Sequence, residues 1–159
     1  MVDYKIERAS LSHLDEVAEL WEQLMKIHKE LDALFFIDTE SDKKSIKKRL
    51  KDVSTSEDSL LLVLIVGQKV KGFVTAYDNG IKYHNYNSKQ LCEIGDIMID
   101  KEFRSEGFGK LLIEGVKDWA REKGVHGIEL NVFAKNVSGM DFFKSVGLKE
   151  RFEALYIDF

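Results

Sequence analysis

The chain of 159 residues contains no proline and a single cysteine, Cys92. One cysteine can form neither an intramolecular disulfide nor a thiolate cluster for zinc or iron–sulfur, so the fold must rest on its own core, and a reducing compartment suits it. Without proline, the commonest turn and helix-stop marker is missing, and glycine, Asn and Asp carry the punctuation. Long apolar runs are also missing. The longest, Leu60 to Val66, falls far short of the roughly 20 residues of a membrane span, and the opening Met1-Val2-Asp3-Tyr4-Lys5 has no signal-peptide core. Nor is there a basic surplus: a formal net charge of -4 argues against a protein whose main work is holding nucleic acid. These absences lead us to expect a cytoplasmic protein with neither a membrane nor a nucleic-acid partner.

What is present is the balance of a folded domain, with 44% hydrophobic and 33% charged residues, and the length suits one domain over residues 1–159. Tyr4 and Ile6 alternate with charged neighbours as in a short strand. Ser12 with Asp15 has the form of a capping box, and Leu14, Val17, Ala18, Trp21, Leu24, Met25, His28 and Leu31 then recur at helical spacing. Ser41 suits the cap of a second helix with a narrow apolar line, Ile46, Leu50 and Val53, among lysines and Arg49; a solvated basic face is the ordinary reading. Leu60 to Val66 and Val70 to Tyr77 flank Gly67-Gln68 as a hairpin. Asp78 to Lys89 reads as a polar loop and Leu91 to Ile99 as a strand. A helix follows with Leu111, Leu112, Val116, Trp119 and Ala120 inward, ending near Gly124. A strand from Ile128 to Phe133, a helix from Val137 to Ser145 and a closing β segment from Leu148 to Phe159 complete the pattern. This order predicts a mixed α/β fold with helices on a largely antiparallel sheet.

The stretch Arg104-Ser105-Glu106-Gly107-Phe108-Gly109-Lys110 joins a strand to a helix. A helix start presents unpaired N–H groups with the positive end of the macrodipole, and glycines let an anion approach the backbone, so Gly107, Phe108, Gly109 and Lys110 are candidate phosphate donors. A Walker loop would need glycine where Arg104 stands and Ser or Thr where Leu111 stands. A dinucleotide fingerprint would need the opposite glycine spacing, early in the chain. The bland reading is a tight strand-to-helix turn and nothing more.

Strand, Arg-x-x-Gly-x-Gly and amphipathic helix together resemble the acetyl-CoA motif of the GNAT superfamily. Leu130-Asn-Val-Phe133, Asn136 and Phe142-Phe143-Lys-Ser-Val-Gly147-Leu148 are similar to that family's ending. The resemblance implies the acyl-CoA N-acyltransferase fold, with a mixed, mostly antiparallel sheet splayed between its fourth and fifth strands. It implies acetyl-CoA as cosubstrate and a small-molecule or peptide amine as acceptor. The pantetheine arm would bond to backbone groups of Ile97, Met98 and Ile99, the pyrophosphate would rest on Arg104 to Lys110, and Asn136 and Phe143 would line the cofactor. A backbone N–H near Ile97 would stabilise the oxyanion.

A lysine-like amine has a pKa of about 10.4 and must lose its proton before attack. Glu93 and Asp96 are the candidate bases. Three residues apart, they point to opposite faces of a regular strand, unless a bulge intervenes. Many members carry a tyrosine where this chain has Phe143, so a solvent proton, Tyr156 or Tyr77 would have to serve the departing thiolate, or the chain binds acyl-CoA without turnover. The segment from His28 to Phe36 resembles one that lines the acceptor side in a group of small acetyltransferases, and Tyr83-His84-Asn85-Tyr86 sits in a loop near the expected cleft. His13, His28, His84 and His126 show no metal-ligand spacing, so no metal is expected. The C-terminal β segment suits self-pairing in a homodimer. A nucleic-acid or protein-interaction module using the lysine-rich helix is the remaining alternative.

Overall fold

The computed structural model describes residues 3–33, 43–78 and 90–157. Five strands, β1 (Tyr4–Arg8), β2 (Ser59–Val66), β3 (Lys69–Tyr77), β4 (Leu91–Ile99) and β5 (Gly127–Glu129), lie side by side in chain order. The first three pairings are antiparallel and β4–β5 is parallel. A parallel neighbour needs a crossover, and α3 (Phe108–Glu122) supplies it. The hairpin between β2 and β3 turns at Gly67, whose φ of +62° is a glycine conformation.

The helices α1 (Leu14–Leu31) and α2 (Lys43–Thr55) cover one face of the sheet, and α3 covers the other. That arrangement explains the unbroken apolar run of β2, because a strand buried on both faces loses its polar alternation. Leu61 and Val63 pack with α1 and α2, while Leu60, Leu62 and Leu64 pack with Leu112, Ile113 and Val116 of α3. The expected apolar line of α2 is buried at Ile46, Leu50 and Val53. Its cations pair in part with α1: Lys43 with Glu22 at 3.5 Å and Lys47 with Asp15 at 2.6 Å.

Several boundaries differ from the sequence reading. A 3-10 turn, Leu11–His13, precedes α1, and the Ser10 N–H donates to His13 Nδ1 at 3.2 Å. Ser12 instead shares a hydroxyl hydrogen bond with Ser10, and Asp15 points to Lys47, so these two residues form no box. In α3 the buried stripe starts at Phe108 and runs through Leu112, Val116, Trp119 and Ala120 with Ile113, which turns Leu111 out to 37% exposure. The strand expected over Ile128 to Phe133 is only Gly127–Glu129, because its ladder to β4 ends at Glu93 and Glu129, where two like charges meet in register. No strand forms over residues 148–157, where Phe152, Leu155, Tyr156 and Ile157 are exposed. Ser41, Phe35, Phe36, the Tyr83–Tyr86 segment and nearly all of the polar loop lie outside the described residues.

Candidate active site

At the middle of β4 the ladder slips. Val74 faces Ile97 and Ala76 faces Ile94, so Gly95 and Asp96 together oppose Thr75. This is a β-bulge, held by a hydrogen bond from the Asp96 N–H to the buried Thr75 Oγ1 at 2.9 Å. A Cβ on Gly95 would stand 2.6 Å from Tyr77 Cε2 and 2.9 Å from Thr75 Oγ1, so the bulge requires glycine. The extra residue resets the strand's alternation. Cys92 and Ile94 face α3 before it, and so do Ile97 and Ile99 after it, while Met98 packs with α1 and α2. Glu93 and Asp96 therefore share the α1–α2 face, against the opposite faces of a regular strand.

Asp96 meets α2 there. Arg49 Nη2 donates to Asp96 Oδ2 at 2.7 Å, and the guanidinium lies over the Trp21 ring at 5.4 Å. His28 of α1 lies 5.7 Å, ring to ring, from Phe133. Burial pushes the His28 pKa down and the Asp96 charge opposes this, which favours a neutral imidazole at pH 7. Glu93 faces Tyr77 on β3 and Glu129 on β5 in register.

Beyond Glu93, β4 and β5 part. The outer edge of Ile97, Met98 and Ile99 has no strand partner among the described residues. The strand ends at Asp100, which accepts from the Glu102 N–H at 3.3 Å and pairs with Lys71 at 3.0 Å. Burial alone would raise the Asp100 pKa, but the Lys71 ammonium and the Glu102 N–H hold it below the usual carboxylate range. Arg104 turns back on the strand, its Nε donating to the Ile99 carbonyl at 3.0 Å and Nη2 lying 3.7 Å from Met98 Sδ. Its side chain closes the turn rather than reaching outward.

The turn itself is left-handed twice, at Ser105 (φ +66°) and at Gly107 (φ +84°), the residue capping α3. Ser105, Glu106 and Gly107 are exposed. Among the described residues no backbone acceptor takes the amides of Gly107, Phe108, Gly109 or Lys110, as the first turn of a helix dictates. Gly109 has a second reason to be glycine: its Cβ would lie 3.0 Å from Phe142 Cζ. Phe142 and its neighbour Phe143, ring to ring at 5.2 Å, belong to α4 (Val137–Ser145) and brace the start of α3. Asn136 caps α4, its Oδ1 accepting from the Gly139 N–H at 3.0 Å. An unpaired strand edge thus leads into a row of unpaired amides, with two carboxylates on the face beside it.

Residues 21–148 fit the profile of the acetyltransferase (GNAT) family. The chain belongs to that family. An uncharacterized N-acetyltransferase of Methanocaldococcus jannaschii is 27% identical over 148 residues, which are 93% of this chain and 62% of that protein. The L-ornithine N5-acetyltransferase of Arabidopsis thaliana is 36% identical over 78 residues, 49% of this chain and 33% of its own length. The chain thus spans less than two thirds of either relative. A solved structure, AAC(6')-Iy in complex with the bisubstrate analog CoA-S-monomethyl-acetylneamine, has the same fold, with a TM-score of 0.78 at 15% identity over 98% of this chain and 97% of its own. The mixed five-stranded sheet with flanking helices is the GNAT fold.

Sequence reasoning missed four residues that shape this site. Arg49 was hidden in a lysine run, where being the one arginine was its only signal. Gly95 carried the usual mark of a bulge, a glycine inside a strand pattern. Thr75 gave no sign, and Phe142 was read only as part of the late aromatic pair, since the contact of each depends on which strand or helix lies opposite.

Proposed function

We propose that the chain transfers the acetyl group of acetyl-CoA to a primary amine. The observation that carries this reading is the continuity of the open β4 edge with the unpaired amides of Gly107 to Lys110. Pantetheine has amide groups that can pair with the edge at Ile97 and Met98, and a diphosphate has the charge and oxygens for a helix start. In this reading Phe143 of α4 and its N-cap Asn136 would line the cofactor, while Arg104 acts by shaping the turn. The molecules bound or acted on by similar proteins support the substrates: coenzyme A joined to acetylneamine in one, ornithine in another.

The amine would enter from the α1–α2 face, where Glu93 and Asp96 stand. Glu93, in register with Glu129 where the β4–β5 ladder ends, is the proton acceptor in this reading, directly or through water. As the carbonyl is attacked, its oxygen becomes negative, and a strand N–H near Ile97 would stabilise it. With Phe143 in α4, the departing thiolate takes its proton from solvent. Phe143 also motivates a second reading, an acyl-CoA binder without turnover.

Thiol release from acetyl-CoA across a panel of primary amines distinguishes the two. Amine-dependent thiol formation that falls at least tenfold in Glu93→Gln supports acetyl transfer with Glu93 as base. Coenzyme A binding with no thiol formed for any amine supports the silent binder.

A further inference from the structure

The carboxylate of Asp96 is only 12% exposed, yet its partner arrives from the solvent side and remains 46% exposed. Arg49 is therefore a removable cation on a carboxylate that the fold has largely withdrawn from water. The bulge fixes Asp96 through Thr75, whereas among the described residues the pair itself and the Trp21 ring hold Arg49. Arg49 also lines an open groove with Asp52, Asp58, Asp78 and Tyr77. Within that groove Asp58 has Lys123 at 3.5 Å and Asp78 accepts from Gln90 at 2.8 Å; Asp52 has no ion-pair partner among the described residues. Arg49 thus has a groove carboxylate, Asp52, within its own helix to turn toward when it leaves Asp96.

We infer that Asp96 docks an ammonium group of the acceptor and that Arg49 holds its place until the acceptor arrives. This inference rests on the acetyl-transfer reading and gives it a substrate class: an amine with a second cationic nitrogen, one nitrogen seated on Asp96 while the other, neutral, meets the thioester. Arg49 is a specificity residue in this scheme. Its departure costs one partly exposed ion pair and a ring contact, which sets the scale of its effect on binding.

Titration calorimetry with 1,4-diaminobutane, with and without coenzyme A, tests the exchange. Arg49→Gln keeps the aliphatic stem against Trp21 and removes the competing charge, so the diamine binds about two- to fivefold tighter than to the wild type. The same substitution in an Asp96→Asn background has no such effect. Unchanged or weaker diamine binding in Arg49→Gln, or no binding to either protein, overturns the inference. Thiol release from acetyl-CoA is measured separately. A protein that shows this affinity order but releases no thiol for any amine keeps the docking site and loses acetyl transfer, and amine acetylation without the affinity order has the opposite meaning.

Discussion

Gly107 meets two demands at once. Its φ of +84° is a conformation that costs other residues about 1–2 kcal/mol, and its amide, like those of the next three residues, has no backbone acceptor among the described residues. Gly107→Ala is expected to lose about 1 kcal/mol in urea unfolding while keeping coenzyme A affinity within a few fold. Gly107→Glu places a carboxylate where the diphosphate would sit, and calorimetry is expected to show binding reduced at least a hundredfold with the fold intact. Equal affinity in Gly107→Glu would move the phosphate site elsewhere. Cys92 makes a separate point at this scale. It is fully buried, and desolvation, with Asp78 adding to it, pushes its thiol up to about 11. The native thiol is thus expected to resist a disulfide reagent at pH 8 and to react on unfolding. Because the folded pKa is raised, the native state is undisturbed below the ordinary thiol value of about 8.5 and loses stability as pH climbs from there toward 11.

Among the elements, β4 decides the chemistry, and its bulge is the feature that turns two carboxylates onto one face. Gly95→Ala would force a methyl into Tyr77 and Thr75. A loss of about 1–3 kcal/mol in denaturant unfolding is expected, along with a fall in thiol release larger than the stability change explains, as Asp96 leaves its place. Full activity in Gly95→Ala would mean that the bulge serves packing alone. Here the limits of sequence reading have a physical cause. The extent of β4, the stripe of α2 and the hairpin at Gly67 are local patterns, and residues a few positions apart express them. Gly95 hinted at the bulge, but the bulge is held by Thr75 across the sheet, and the short β5 depends on where its ladder to β4 gives out, so neither could be settled within its own segment. The same holds for residues 148–157, whose β-like composition forms no strand.

At the scale of the molecule, the sheet with α1 and α2 on one side and α3 on the other divides the labour. The α1–α2 face carries Glu93, Asp96, Arg49 and His28, and the opposite layer carries the helix whose start is left unpaired. The gap between β4 and β5 joins the two. This architecture and the strand-to-helix turn were legible beforehand because they follow from element order and glycine placement. The pairing of Asp96 with Arg49 was not, because it spans 47 positions of sequence. The central claim is that the main-chain amides opening α3 cradle the diphosphate of the cofactor. Backbone amide NMR during a coenzyme A titration measures it directly: the Gly107, Phe108, Gly109 and Lys110 resonances are predicted to shift farther than those of α2, with dephospho-coenzyme A giving the same set. Binding that leaves these four amides unmoved while others shift would contradict the account.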